Sequence, residues 1–392
     1  MTKKVLYVRS APYDLDINTY NIQEIGLGKA FCEMGYDFDF IAFKKSSPYR
    51  TEKFYDSGTN MARYIEKPRI RVDRCGINLS ICNEEFLKQY DIIICSEYYQ
   101  IESYLISRKT KNAVIYSGPY YNLFLLKFLS YIYDAIFTKL IDRNVRCIFV
   151  KSKLAYSFLR NKGYTKLHTL GVALDTTRFD NENVIKPETQ KLIDYMTCNR
   201  CILYVGALSE RKNLPFLLET YQRVLEKEPD VKFIMIGKSV INPIKKLFGK
   251  KDSDYERECI AKMPQNVKEG IYRVQRIENP QLKFIYPLAK AFLLPSKLEI
   301  FGMVLLEAMY FKCPVITSYN GGSATLIDGK ETGLIVDRFD ANLWAEAIEK
   351  YLNNPIYSEK IRRNANILIS EHYNWKNLAN QIVSFFETNK IV

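Results

Sequence analysis

Short apolar runs recur along the first part of the chain, and each is closed by a polar or turn-forming residue. They predict buried strands at residues 5–9, 38–43, 91–95, 113–116 and 147–150. Between the first two runs, the stretch 20–34 carries apolar residues every three or four positions and stops at Gly35. Continuous apolar runs are typical of strands covered on both faces, whereas spacing near 3.6 indicates a helix. The pattern therefore predicts an α/β protein.

The same alternation returns in the second half of the chain. Strands are predicted at residues 202–206, 231–237 and 289–294, and helices at 214–227, 343–352, 359–371 and 375–386. Residues 46–90 and 180–200 are polar and show no clear periodicity. A chain of 392 residues is long enough for two domains of ordinary size, each with its own core.

Residues 123–141 form an apolar and aromatic stretch that is interrupted by Lys127, Asp134 and Lys139. These charges make the stretch unsuited to spanning a bilayer. A helix of this kind either packs in a core or lies at an anionic membrane interface, since the whole chain is basic. The sequence leaves both interpretations open.

Composition places the chain among globular proteins and makes it basic. Hydrophobic residues make up 47% and charged residues 26%, and the formal net charge is +13. Such a charge suits an anionic membrane face, nucleic acid or acidic substrates, but it also arises from a lysine-rich, solubilising surface. No nucleic-acid-binding module is recognisable, so we expect no nucleic-acid partner. Without a secretory signal or an apolar run of membrane-spanning length, we expect a cytoplasmic protein, with peripheral contact to the inner membrane face left open.

Metal and redox chemistry have little support in the sequence. Nine cysteines are scattered along the chain, which fits reduced thiols in a cytosol. Cys198 and Cys201 form a single C-x-x-C with no second pair, and the chain holds only two histidines, His168 and His372. We therefore expect no metal and no cofactor.

The stretch 294–307 combines a strand end, a loop and a helix start with two carboxylates. Glu299 lies in the loop, Gly302 permits the turn into the helix, and Glu307 falls in the second helical turn. The first amides of a helix have no partner within it, so those of residues 302–304 suit a phosphate. Carboxylates beside a phosphate are favourable only if hydroxyl groups donate to them, and ribose and hexose carry such groups. The pattern predicts a sugar-nucleotide site.

This stretch and the residues after it resemble a known family. Glu299 and Glu307 are followed in order by Ala308-Met309, Pro314-Val315-Ile316, Gly321-Gly322, Asp328-Gly329 and Thr332-Gly333-Leu334-Ile335-Val336. This order over about forty positions resembles the donor-site signature of the family-4 retaining glycosyltransferases (glycosyl transferases group 1), which include bacterial surface-polysaccharide enzymes. The resemblance implies the GT-B fold, with two Rossmann-like doubly wound domains facing a cleft and a C-terminal helix returning to the first domain.

The resemblance also implies which residues bind the donor. Residues 1–178, with the returning helix in 375–392, would form the acceptor domain, and residues 179–374 the nucleotide-sugar donor domain. The catalytic side chains implied are Glu299, which holds the hydroxyls of the donor sugar, and Lys212 and Arg211, which neutralise the diphosphate. The further donor-binding residues implied are Glu307 for the ribose, Arg276 and Ile277 for the base, and Gly206, Phe301, Gly302, Met303 and Val304.

The chain departs from the family's pattern at three places. Its first loop has no glycine pair, Ala207 stands where family members carry an arginine, and no histidine occurs near residues 97–120. Arg211 would have to reach the diphosphate in place of the missing arginine.

Loops that follow the predicted strands of the first half supply the acceptor-side candidates, because such loops line the ligand crevice of open parallel sheets. The candidates are Asn18, Thr19, Asn21, Glu97, Ser117 and Tyr120. The first three either contact the ligand or cap the next helix, and the other three either bind the acceptor or pack within their loops.

The activity implied by the resemblance is transfer of a sugar from a nucleotide diphosphate sugar, with UDP preferred to GDP, to a glycan or lipid-linked acceptor. Transfer would retain the anomeric configuration, need no metal and proceed by attack on the leaving-group face. The three departures leave a second hypothesis open, in which the chain is a catalytically weak nucleotide-sugar-binding subunit that regulates or scaffolds a partner enzyme.

Overall fold

A computed structural model of the chain describes residues 2–19, 22–124, 127–180, 183–240 and 251–388. Its contacts divide the chain into two compact units. Unit 1 comprises Met1–Asp175 and Tyr373–Val392, and unit 2 comprises Thr176–His372. Each unit is an α/β layer structure built on its own sheet.

The strands are named in chain order. Those of unit 1 are β1 (Lys3–Arg9), β2 (Tyr36–Lys44), β3 (Thr51–Asp56), β4 (Met61–Pro68), β5 (Ile70–Val72), β6 (Cys75–Ile77), β7 (Ile92–Ser96), β8 (Ala113–Ser117), β9 (Ile148–Val150) and β10 (Leu167–Thr169). Those of unit 2 are β11 (Cys201–Val205), β12 (Lys232–Ile236), β13 (Ile271–Val274), β14 (Ala291–Leu294), β15 (Val315–Thr317) and β16 (Leu334–Ile335).

The α-helices are numbered over the described residues in the same way. The first seven are α1 (Gln23–Glu33), α2 (Glu84–Leu87), α3 (Ile101–Ser107), α4 (Lys127–Asn144), α5 (Lys153–Asn161), α6 (Thr177–Asp180) and α7 (Pro187–Cys198). The others are α8 (Leu214–Lys227), α9 (Asp252–Ala261), α10 (Gln265–Gly270), α11 (Met303–Tyr310), α12 (Gly321–Leu326), α13 (Ala341–Asn353), α14 (Pro355–His372) and α15 (Trp375–Thr388). Short 3₁₀ turns occur at Leu79–Ile81, Glu210–Lys212, Asn279–Phe284 and Tyr286–Leu288.

The main sheet of unit 1 has the strand order β10-β9-β8-β7-β1-β2-β4-β3, and its pairs are parallel except for the antiparallel edge pair β3–β4. Successive residues of β1 point to opposite faces, so Val5 and Tyr7 join one apolar cluster, and Leu6 and Val8 join another. A strand with an apolar cluster on each face reads as a continuous apolar run, which explains why β1 was recognisable from the sequence.

Helix α15 belongs to unit 1, although it lies at the far end of the sequence. Trp375, Leu378 and Ile382 are buried in the same cluster as Val5 and Tyr7. The fit against α1 is close, because a Cβ atom on Gly26 would lie 2.2 Å from Nε1 of Trp375. The predicted return of the last helix to the first domain is therefore confirmed.

The sheet of unit 2 has the order β13-β12-β11-β14-β15-β16, and all of its pairs are parallel. Ile202, Leu293 and Ile316 lie on one face of this sheet, within a core that also holds Trp344 of α13. Because the strands are parallel, the loops after β11, β12, β14 and β15 lie at one edge of the sheet.

Two polar stretches contain elements that the pattern did not predict. Residues 46–90 hold β3 to β6 and α2, and residues 180–200 hold α7. Strand β3 is an edge strand without fully buried residues, and α7 buries only Thr189, Leu192 and Met196. Elements that bury so little carry a weak periodic signal. Among the described helices, none combines the length and apolar character needed to cross a bilayer.

Candidate functional site

The turns after β11 and β12 approach each other at two glycines. Gly206 has a φ of +150° and Gly237 a φ of +146°. A Cβ atom on Gly237 would lie 1.9 Å from the carbonyl oxygen of Gly206, so no side chain fits there. This contact fixes the start of the turn that carries Ala207, Arg211 and Lys212.

The turn after β11 places Lys212 in the interior of unit 2. A 3₁₀ turn at Glu210–Lys212 ends at Asn213, which adopts the left-handed conformation, and α8 follows with a proline in its first turn. Lys212 is only 7% exposed. Burial lowers the pKa of the Lys212 ammonium, although Glu299 acts in the opposite direction. A buried ammonium of this kind requires a carboxylate or a bound anion beside it.

The loop after β14 runs to Gly302, which precedes α11 as predicted. Gly302 has a φ of +84°, a conformation that favours glycine. A Cβ atom there would lie 3.3 Å from both Cγ of Glu299 and Cδ2 of Leu294, so the glycine also keeps the turn compact. Met303 and Val304 then form the first turn of α11, whose positive dipole end favours an anion.

The three side chains predicted to be catalytic meet between these two loops. Oε2 of Glu299 accepts from Nζ of Lys212 and, at 3.2 Å, from Arg211. Arg211 also donates to the carbonyl of Leu298 at 2.8 Å, and the amide of Lys297 donates to the carbonyl of Arg211 at 2.9 Å. Arg211 therefore reaches across to the loop after β14 although Ala207 lacks a charge. We name Arg211, Lys212 and Glu299 the charge cluster.

Glu307 lies on α11 and is almost completely buried, with 2% exposed. Asn279 donates to its Oε1 and Tyr286 to its Oε2, both at 3.0 Å. Burial raises the pKa of the Glu307 carboxyl to about 7, against the lowering effect of these two hydrogen bonds and of Arg178. Sequence reasoning missed Asn279 and Tyr286, because their positions follow only from where the segment after β13 turns back toward α11.

The glycine pair of the signature supports the loop after β14. A Cβ atom on Gly322 would lie 2.0 Å from the carbonyl oxygen of Phe301, which is itself buried. The amide of Gly321 donates to the carbonyl of Glu299 at 3.2 Å, and Asn320 caps α12 by accepting from the amides of Gly322 and Ser323. The backbone at Glu299 and Phe301 thus lies directly against the segment after β15.

The two residues predicted to face the base follow β13, which ends at Val274. Arg276 is exposed and Ile277 is 9% exposed. Asn279, two positions further on, contacts Glu307, so this segment approaches the predicted ribose carboxylate. The positions of Arg276 and Ile277 are compatible with a base contact, which stays a prediction.

In unit 1, Glu97 and Ser117 are brought together at the carboxyl ends of β7 and β8. Ser117 Oγ and the amide of Gly118 donate to Oε2 of Glu97 at 3.1 and 3.0 Å, and Lys151 lies 3.5 Å from Oε1. Glu97 has a φ of +65°, which is strained for a residue with a side chain. Tyr120 lies nearby in sequence but packs against the apolar cluster around Tyr98.

In the first loop of unit 1, Asn18 and Thr19 do not cap the next helix, so of the two alternatives for these residues only ligand contact stays a prediction. Asn18 and Thr19 bond to Asp16 within the loop, and Asn21 lies outside the described residues. Ile22 precedes α1, and no side chain of the residues that the structure describes caps this helix end. Sequence reasoning also missed the ion pair between Arg9, at the end of β1, and the buried Glu24 of α1, whose atoms approach to 3.0 Å.

The described residues contain no group of three or more histidine, cysteine, aspartate or glutamate side chains arranged to hold a metal ion. Within these residues Cys198 is exposed and Cys201 is buried in β11, and both are free thiols. The two cysteines of the C-x-x-C therefore differ in environment and form no disulfide.

Comparison with known proteins agrees with this architecture. Residues 197–368 match the family model described as glycosyl transferases group 1. Spore coat protein SA from Bacillus subtilis (strain 168) is 24% identical over 62% of this chain and 63% of its own length. The capsular polysaccharide biosynthesis glycosyltransferase CapM from Staphylococcus aureus is 26% identical over 56% of this chain and 53% of its own. The alignments thus span less than two thirds of these relatives.

Solved structures resemble the whole chain at low identity. Sucrose-phosphate synthase from Thermosynechococcus elongatus has a TM-score of 0.69 at 19% identity and covers 98% of both chains. HepE from Anabaena, in complex with UDP and glucose, has a TM-score of 0.66 at 15% identity and covers 98% of this chain and 100% of its own. These likenesses confirm the predicted fold.

Proposed function

We propose that the chain is a glycosyltransferase that uses a nucleotide diphosphate sugar, because it has the GT-B fold and its residues 197–368 match the family model described as glycosyl transferases group 1. The charge cluster carries this proposal. Two cations and one carboxylate meet beside the N-terminal end of α11, where a diphosphate and a sugar hydroxyl would both find partners.

The two cations of the charge cluster would stabilise a nucleoside diphosphate as it leaves the sugar. Negative charge grows on the β-phosphate as the bond to the sugar breaks, and fixed cations stabilise it most where water is excluded. Lys212 is buried and Arg211 is half exposed, so Lys212 is the better placed of the two for this role. In the proposed mechanism, the amides at Gly302–Val304 add dipoles aimed at the same phosphate.

Glu299 and Glu307 act as hydrogen-bond acceptors in this proposal. Glu299 moves from its pairing with Lys212 to the hydroxyls of the donor sugar when the diphosphate takes over the cations. Glu307 accepts from the ribose hydroxyls and is held in place by Asn279 and Tyr286. Transfer proceeds with retention by attack on the leaving-group face, the departing phosphate taking the acceptor's proton, without a metal ion.

UDP is the preferred carrier, and the complex of HepE with UDP and glucose supports this choice over GDP. We propose a glycan or lipid-linked acceptor, supported by the capsular role in the name of CapM. The acceptor side would use Glu97 and Ser117, and the protein would work in the cytoplasm, in contact with the anionic inner face of the membrane.

The hypothesis of a regulatory subunit is not retained. It rested on the missing arginine at Ala207, the missing glycine pair and the missing histidine. Arg211 contacts Glu299 and the loop after β14 in spite of Ala207, which supports the proposal that it acts in place of the missing arginine.

The first experiment is thermal stabilisation of the purified protein by UDP, GDP and a panel of their sugars. A ligand that binds only the folded state raises Tm with concentration. We expect a rise with UDP and UDP-sugars that is lost in Lys212→Ala and kept in Lys227→Ala, a change at the exposed end of α8. No rise with any nucleotide would overturn the proposed donor site.

A further inference from the structure

Helix α4 of unit 1 turns an apolar stripe toward solvent. Phe128, Tyr131, Ile132 and Ile136 are 56%, 74%, 51% and 51% exposed. Their spacing of three and four residues places them on one face of the helix, where Ala135 is exposed as well. Scattered single apolar side chains are ordinary on a protein surface, but a contiguous stripe of large ones marks an interaction site. We name Phe128, Tyr131, Ile132 and Ile136 the α4 stripe.

Residues outside the stripe attach the opposite face of α4 to the rest of unit 1. Ile141 is fully buried, and the hydroxyl of Tyr133 donates to the carbonyl of Tyr98 at 2.9 Å. Asp134 forms an ion pair with Lys162, which follows α5. Helix α4 therefore has its own attachment to unit 1, and the stripe is available for another partner.

The exposed face of α4 carries positive charge beyond the stripe. Lys139 and Arg143 continue the same face toward the C-terminal end of the helix, and both are exposed.

Both acidic residues of α4 are half-buried and engaged by other groups of unit 1. Asp134 pairs with Lys162, and Asp142 accepts from the amide and hydroxyl of Thr165 at 2.8 and 2.6 Å. Among the described exposed positions of the helix, the stripe and its continuation thus combine large apolar side chains with cations and contain no carboxylate.

We propose that this face of α4 docks on an anionic phospholipid bilayer. Aromatic and branched aliphatic side chains enter the boundary between headgroups and acyl chains, while Lys139 and Arg143 contact lipid phosphates. The proposal deepens the membrane contact included in the proposed function by assigning it a surface. It does not depend on the donor site, which lies in unit 2.

Co-sedimentation with lipid vesicles tests the docking face. One preparation of vesicles is pure phosphatidylcholine, and the other adds phosphatidylglycerol. We expect the full-length protein to bind the vesicles that contain phosphatidylglycerol and to be released by salt, because exposed charges are screened. The double variant Ile132→Ser/Ile136→Ser should lose binding by tenfold or more, since two exposed isoleucines no longer insert.

Charge reversal separates the electrostatic part of the contact. Lys139→Glu/Arg143→Glu should abolish the preference for anionic vesicles, because each cation near such a surface contributes about fivefold to binding. The matched control is Ile356→Ser/Arg363→Glu on α14 of unit 2, where both residues are exposed. This control should bind like the unchanged protein.

Three outcomes would overturn the proposal. The first is failure of the unchanged protein to bind either kind of vesicle, and the second is equal binding by the unchanged protein and both α4 variants. The third is a dimer in gel filtration that the substitutions Ile132→Ser/Ile136→Ser dissociate. The last would show that a second copy covers the stripe. The Tm shift with UDP, measured on every variant, distinguishes this failure from failure of the donor site. A retained shift shows that unit 2 is folded and competent.

Discussion

An ion pair between Lys212 and Glu299 joins two loops that lie 87 positions apart in the sequence. Each partner is almost buried, so neither charge is well solvated. Removing one partner of such a pair leaves the other charge uncompensated. In the proposed mechanism, a bound diphosphate would replace Glu299 as the partner of Lys212. The pair thus holds the two side chains, and with them the two loops, in place.

Lys212→Ala should lower kcat/KM for the nucleotide sugar by about tenfold to a hundredfold, because one charge-assisted hydrogen bond to the leaving phosphate is lost. Arg211→Ala should have a smaller effect, since Arg211 is half exposed and its field is screened. Initial rates of donor consumption check both values. Near-normal turnover in Lys212→Ala would contradict the assigned role.

Glu299→Ala should abolish most transfer but leave binding of UDP itself almost unchanged or stronger. The variant frees Lys212 and Arg211 for the diphosphate and removes only the acceptor for the sugar hydroxyls. Calorimetric titration with UDP and with UDP-glucose measures the difference. If both ligands weaken equally, Glu299 supports the loop and does not hold the sugar.

Glu307 should make folding stability depend on pH. Its carboxyl pKa is about 7 in the folded protein and 4.5 ordinarily, so the folded state keeps a proton that the unfolded state loses. The resulting contribution to the free energy of unfolding is fully present below pH 4.5, falls as pH rises and is gone above about pH 7. Its full size is on the order of 3 kcal/mol. Denaturant unfolding of Glu307→Gln should lack this dependence of the free energy of unfolding on pH.

UDP should bind more tightly as pH rises through 7, because the ionised carboxylate is the better acceptor for ribose hydroxyls.

An unchanged pH slope in Glu307→Gln would show that other groups carry the dependence. Glu102 of unit 1 is the main one to separate, since burial raises the pKa of its carboxyl to about 8. Comparing the variant with the unchanged protein at each pH cancels the contribution of Glu102, which both proteins share.

The substitution Gly237→Ala should lower the free energy of unfolding of unit 2 several-fold more than Gly329→Ala does. Both glycines have positive φ, but only Gly237 faces an obstacle, the carbonyl of Gly206 at 1.9 Å from a Cβ atom, whereas Gly329 faces open space. The control therefore measures the conformational cost alone, about 1 kcal/mol. Thermal unfolding with and without UDP checks the expectation that Gly237→Ala also weakens donor binding. Equal losses of stability in the two variants would show that the turn after β12 rearranges to accept a Cβ atom without an added free-energy cost.

Much of unit 2 was predictable because its strands are buried on both faces and its loops carry glycines. The bounds of α8 and the start of α11 after Gly302 followed from periodicity and helix-start signals. The positions of Arg211 beside Glu299 and of Tyr286 beside Glu307 did not, because contacts between loops depend on the register of neighbouring strands and not on spacing along the chain. In unit 1, β3 was missed since an edge strand buries little.

Helix α15 follows unit 2 in the sequence but packs in unit 1, and this order has a consequence for biosynthesis. Unit 2 is continuous in sequence, so all of its residues leave the ribosome before Trp375, which is buried in unit 1 against Gly26. The nascent first unit therefore waits, with one side of α1 uncovered, while roughly two hundred residues are added, which takes tens of seconds at elongation rates of about 5–20 residues per second. During that interval it offers chaperones an apolar surface that the finished protein hides.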